Sequence, residues 1–210
     1  TARRLEAIIR QSFAPALEAH GFRRQGKRRC LERDHGEVVQ LVDLQLHKHH
    51  DLHQSRFTVN LAVHHRSVLE ALLRLPHLAY LTPHAEPLDE AICPLRWRLG
   101  AFMPREQTDA GDRWWPVDAS MSDAELETLT TEVLEPLERL ALPHLDSIDS
   151  LPRLLANLPE DGVSVDKVAA LALLGHGDEA RQAANQLRER APFAAPPPEE
   201  LEAWLRELLA

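Results

Sequence analysis

The sequence predicts an α+β fold: an antiparallel sheet of four to five strands packed with helices, followed by an all-helical C-terminal region. Three observations carry this. Apolar and polar residues alternate with period two through Val38 to His47 and again through Phe57 to His64. Helical spacing of apolar residues precedes and follows those stretches, at residues 3–19 and 123–140. Beyond Ser147 every periodic segment is helical, punctuated by prolines and glycines.

Leu5, Ile8, Ile9, Phe13 and Leu17 recur at three- and four-residue steps, so residues 3–19 form an amphipathic helix that Pro15 kinks or shortens. Gly21 suits its left-handed cap. Strands follow at about 22–33, 37–48 and 55–65, the first two joined through Asp34-His35-Gly36. Residues 66–80 turn helical, with Val68, Leu69, Leu72, Leu73 and Leu75 on one side. A loop punctuated by Pro76, Pro83 and Pro87 leads to a short helical turn at 88–92 and two further strands, Leu95 to Phe102 and Arg113 to Val117. Ser122-Asp123-Ala124-Glu125 is a capping box that opens a helix to about Leu140, with Pro136 set to bend it. Four helices complete the chain at about 147–158, 164–174, 178–190 and 199–209. The turn from Leu173 to Ala180 echoes a tetratricopeptide helix turn, in a single copy where a solenoid needs about three.

Residues 1–143 therefore read as an α+β domain and 144–210 as a helical extension. With 44 % hydrophobic and 27 % charged residues the composition is that of an ordinary globular protein. No apolar run reaches the roughly 18 residues of a membrane helix. The first residues enter an amphipathic pattern without a signal-peptide apolar stretch, so the chain reads as cytoplasmic. Cys30 and Cys93 fall in strand-like segments and read as buried free thiols. Net charge is −9, unevenly spread: residues 1–117 hold 17 basic against 14 acidic residues, and residues 118–210 hold 7 against 19. So acidic a second half opposes wrapping by nucleic acid.

Alternation places Val42, Leu44 and Leu46 on a core face with Phe57, Val59, Leu61 and Val63. Asp43, Gln45, His47, Thr58, Asn60 and His64 then share the opposite face, left available for contact. Arg96 and Arg98 alternate toward that face, where an Asp43–Arg98 pair would stiffen a groove. Of the adjacent Trp114 and Trp115, one ring would face the groove and the other the core. Planar hydrogen-bonding groups with few charges suit a peptide or small polar ligand, and the candidate ligand-binding residues are Asp43, Gln45, Asn60, Arg96, Arg98, Trp114 and Trp115. The histidines offer an alternative. His47 and His49 project to one side of a continuing strand, with His64 across the hairpin, and neutral imidazoles so placed would ligate zinc or nickel. The basic run from Arg23 to Arg29 lacks interleaved aromatics and reads as a protected sheet edge rather than a nucleic-acid platform. Phosphate-cradling glycine loops, nucleophile elbows and HExxH helices are absent from the sequence, and no catalytic residue is assigned.

Five short signatures occur in order: Gly21-Phe22-Arg23-Arg24-Gln25-Gly26, Val42-Asp43-Leu44-Gln45, Phe57-Thr58-Val59-Asn60-Leu61, Leu95-Arg96-Trp97-Arg98-Leu99-Gly100 and Asp112-Arg113-Trp114-Trp115. Together they resemble the bacterial family known as domain of unknown function 4304, over about residues 3–140. The chain departs from that pattern near Cys30, where the family carries an aromatic, and at Ala62, where it often has glycine. The resemblance implies a fold and a boundary, and no reaction. The expected role is a non-enzymatic binding or accessory protein that presents the polar sheet face to a protein partner or small polar ligand, without nucleic acid, membrane or cofactor. The alternative is a metal-dependent enzyme or metal-binding protein using His47, His49 and His64.

Overall fold

A computed structural model of the chain describes residues 2–24, 29–47, 54–85, 88–118, 120–160, 162–191 and 195–210. The elements run α1 (Ala2–Ile8), α2 (Ala14–Glu18), β1 (Arg23–Arg24), β2 (Cys30–His35), β3 (Val38–Leu46), β4 (Gln54–His65), α3 (Arg66–Leu73), α4 (Thr82–Ala85), β5 (Leu95–Arg98), β6 (Trp115–Asp118), α5 (Asp123–Pro136), α6 (Leu142–Asp146), α7 (Leu151–Asn157), α8 (Val165–Leu173), α9 (Gly177–Arg190) and α10 (Pro198–Leu208). The sheet has six strands in the order β1-β2-β3-β4-β5, with β6 also paired to β4. The α+β class is as the sequence predicts.

Several boundaries differ, each for a local reason. The stretch expected as one strand at 22–33 is two strands paired antiparallel, Arg23 opposite Glu32 and Arg24 opposite Leu31. Gln25-Gly26 between them has turn composition. The hairpin from β2 to β3 turns at Gly36 with φ 64°. Helix α3 ends at Leu73 rather than near residue 80, because Pro76 opens a separate 3-10 turn, Pro76–Leu81. Strand β5 stops at Arg98, where a 3-10 turn over Leu99–Phe102 begins.

Both long helices carry a π-helical turn where the sequence suggested a kink. Ile9–Phe13 separates α1 from α2, and Leu137–Ala141 separates α5 from α6. Two residues after the end of each π turn comes a proline, Pro15 and Pro143, which has no N–H to donate and whose ring would meet the carbonyl four residues before it. The wider turn makes room for that ring. The second rod thus runs past Leu140 to Asp146. Its start is the expected capping box: Glu125 N–H donates to Ser122 Oγ at 3.3 Å, and Ser122 N–H to Glu125 Oε2 at 2.7 Å.

The chain divides into two compact units. The first comprises residues 1–35, 40–62 and 96–147; the second comprises 36–39, 63–95 and 148–210. In the first, Val42, Leu44, Phe57, Val59 and Leu61 are buried with Leu5, Ile9, Phe13 and Leu17 of the first rod and Leu129, Val133 and Leu137 of the second. Phe57 meets Phe13 edge-on at 6.5 Å and stacks on Trp115 at 6.0 Å. Each such side chain contributes roughly 1.5–3 kcal/mol on burial. Gln40 shares the parity of Val42 and Leu44 and is fully buried. Its amide is satisfied at both ends, since Nε2 donates to the Leu145 carbonyl at 2.7 Å and Oε1 accepts from Arg33 Nε at 2.9 Å. Arg33 also pairs with Asp146 and lies over the Phe22 ring at 4.5 Å.

In the second unit, α8 packs on α3, α7, α9 and α10. Its Ala169, Ala170 and Ala172 are buried and small enough for close approach. Trp204 of α10 donates Nε1–H to the Ala71 carbonyl at 2.7 Å, and His77 N–H donates to Glu200 at 2.7 Å. Cys30 and Cys93 are buried and form no disulfide. Among the described residues no helix is long and apolar enough to cross a membrane.

Candidate functional site

Strand pairing decides which side each candidate residue faces. Trp115 lies opposite Phe57, so the two share the core face and Trp115 is 1 % exposed. Trp114, one residue earlier, turns to the polar face. Of the seven candidate ligand-binding residues, Trp115 therefore belongs to the core and not to the polar side.

Around Trp114 the structure assembles two clusters. In the first, the indole Nε1–H donates to Asp112 Oδ2 at 2.8 Å. The Arg98 guanidinium lies 5.0 Å and the Arg56 guanidinium 5.4 Å from the ring centre. His47 meets the ring edge-on at 5.0 Å. Arg56 Nη2 is 3.2 Å from His47 Nε2. A guanidinium only donates, so that nitrogen accepts and the imidazole proton sits on Nδ1. Arg98 Nη1 stands 3.5 Å from Asp112 Oδ1, where the sequence suggested Asp43. Neither of those two atoms is accessible and neither has a hydrogen-bond partner among the described residues.

The second cluster is the amide floor beside it. Asn60 Nδ2 donates to Gln45 Oε1 at 3.0 Å and approaches Asp43 Oδ2 at 3.5 Å. Thr58 Oγ1 donates to the Arg113 carbonyl at 2.9 Å, tying β4 to the loop that carries Asp112 and Trp114. The loop closes through a two-residue turn. Asp109 and Asp112 exchange both backbone hydrogen bonds at 2.8 Å, with Ala110 at φ 50° and Gly111 at φ 83° between them. Gly100 permits the approach of the other limb. A Cβ there would lie 2.8 Å from Arg113 N and from the Gly111 carbonyl oxygen.

The polar face is not open along its whole length, as the alternation suggested. Thr58 is fully buried, Asn60 is 6 % exposed and His64 is 1 % exposed. Gln45, Arg56 and Arg96 are exposed, while Asp43, His47, Arg98 and Trp114 are half-buried. The open part is thus the end carrying Trp114. Arg56 and Asp112 are the two members that sequence reasoning missed. Arg56 shares the parity of Thr58 and Asn60 and was legible; Asp112 sits in a loop, where parity says nothing.

The histidines are dispersed. The His47 N–H donates to the Arg56 carbonyl near the start of β4, whereas His64 is close to the end of that strand. His49 lies outside the described residues. His64 accepts the His65 N–H on Nδ1 at 2.8 Å, and burial lowers its pKa to about 4. Among the described residues no group of three or more His, Cys, Asp or Glu side chains is placed to hold a metal ion.

No curated protein matches the chain, and no solved structure matches it either. The sequence pattern of one family does match, over residues 13–147, and this span holds all five ordered signatures as well as the Trp114 cluster. On that match the chain belongs to the family described as Domain of unknown function (DUF4304).

Proposed function

We propose that the protein is a cytoplasmic bacterial binding protein that engages a protein partner or a small polar ligand at the Trp114 end of its sheet. One observation carries this reading. A half-buried indole is fixed by Asp112 and surrounded by Arg56, Arg98 and His47, beside exposed Gln45 and Arg96. Ring face, guanidinium donors and amide groups together offer stacking and planar hydrogen bonding, the combination used to hold carboxylate or amide groups. Arg98 Nη1 and Asp112 Oδ1, 3.5 Å apart and inaccessible, face each other and hold the guanidinium beside the ring. The cytoplasmic placement is supported by two buried cysteines that form no disulfide.

The test is a ligand-observed NMR screen of small amides and carboxylates on the purified protein, repeated with Trp114→Ala and Arg98→Ala. Binders that are lost in both variants, with unchanged circular dichroism, support the reading. Binders indifferent to both substitutions overturn it, as does robust turnover of an ester, nucleotide or phosphodiester that Arg98→Ala abolishes.

A further inference from the structure

The acidic second half of the chain brings three of its few cations together. Residues 118–210 carry seven basic side chains against nineteen acidic ones. Three of those seven, Arg181 and Arg188 of α9 and Arg206 of α10, line a groove of about 360 Å³ between these two helices. Glu202 is its one acidic lining residue.

Helical spacing explains the groove's two-part chemistry. Arg181 and Arg188 are two turns apart on α9, with Ala184 between them on the same face. Leu201, Leu205 and Leu209 follow at steps of four along α10; Leu201 and Leu205, like Ala184, are buried and Leu209 is half-buried, so the groove has a narrow apolar floor. The rim arginines are held loosely. Arg181 reaches Asp178 at 3.2 Å through an exposed pair, and Arg188 stands 3.7 Å from Glu202. Exposed pairs of this kind are weak and exchange readily. Arg206 is exposed and makes no ion pair or hydrogen bond among the described residues.

We infer that this groove docks an acidic amphipathic peptide segment of a partner protein, its apolar side chains on the leucine floor and its carboxylates on Arg181, Arg188 and Arg206. Charge selects this occupant. An anionic membrane or a nucleic acid would meet the surrounding excess of carboxylates, including Glu199 and Glu200 at the start of α10, whereas a short acidic segment reaches the cationic rim alone. The narrow floor between two helices suits one row of apolar side chains from a segment laid along the groove. This surface is separate from the Trp114 cluster, and its test is independent of that reading.

The probe is a fluorescein-labelled helical peptide with leucine on one face and glutamate on the others, titrated by anisotropy into the full chain. Its counterpart with lysine in place of glutamate is the control. Expected results are saturable binding of the glutamate peptide and none of the lysine peptide. Arg206→Glu and Arg188→Glu should each weaken binding by about tenfold or more, while Arg98→Ala leaves it unchanged. Added salt should weaken it further. Both arginines are on exposed helix faces, and circular dichroism with thermal melting verifies that the variants fold. Equal affinity for the lysine peptide, affinity indifferent to both charge reversals, or no binding at millimolar protein overturns the inference. Self-association of the chain that blocks the probe and is lost in Arg206→Glu also overturns it, since the occupant is then a second copy.

Discussion

At Gly100 the chain has no space for a side chain. Two backbone atoms of the facing limb stand 2.8 Å from where a Cβ would lie, and backbone cannot swing aside as a flexible side chain would. Gly100→Ala is expected to cost about 1–3 kcal/mol, measured as a lower urea midpoint, and to loosen the turn that delivers Asp112 and Trp114. His64 sets a different kind of dependence. Folding keeps its imidazole neutral down to about pH 4, whereas in the unfolded chain it protonates near 6.5. Between those values the unfolded state holds more protons, so this contribution is complete above pH 6.5 and disappears as pH falls toward 4. Its full size is about 3 kcal/mol. His64→Gln should flatten the acid side of the stability profile across that window, as read from urea midpoints at several pH values. Asp166 acts in the opposite sense. Burial raises its carboxyl to about 6, so its contribution is present at low pH and is lost as pH rises through that value. Asp166→Asn should therefore gain stability above pH 6 relative to the unsubstituted chain.

Among the elements, strand parity and helix spacing were the legible signals. Alternation in β3 and β4 correctly separates Phe57, Val59 and Leu61 from Asn60 and Thr58, and the capping box marks the start of α5 to the residue. Prolines were legible as interruptions but not as π turns, because the sequence shows a missing N–H and not how the neighbouring turns widen to accept it. The parity of Gln40 puts it among Val42 and Leu44. Its burial depends on Arg33 and on a carbonyl of α6, partners distant in sequence. Helix α10 is held to α3 by Trp204, which combines a large buried ring with a hydrogen bond to Ala71. Trp204→Ala is expected to cost about 3–5 kcal/mol, seen as a lower melting temperature, and Trp204→Phe should cost less, since it removes the indole hydrogen bond but leaves the Ala71 carbonyl its bond from Arg74 N–H.

Over the whole molecule, each unit is assembled from three separate stretches of chain, and the family match at 13–147 includes parts of both. The helices after residue 147 lie beyond that match, yet α8 packs on α3 and Trp204 bonds to it. Truncation after Ser147 should therefore leave Val68, Ala71 and Leu72 of α3 without their cover. The shortened chain is expected to bind a hydrophobic dye and to elute as aggregates in size-exclusion chromatography. A monomeric, dye-negative product with a cooperative melt would show instead that residues 1–147 suffice.

The sequence by itself determined the α+β class, the alternation of the central strands, most helix limits and the family, because each follows from local spacing or short ordered motifs. It also separated the two tryptophans by face. Tertiary structure alone decided that the polar face is buried at Asn60 and open at Trp114, that Arg98 meets Asp112, and that the arginines of α9 and α10 share one groove. Those outcomes depend on which distant segments close over a strand or lie beside a helix, and spacing along the chain carries no record of that.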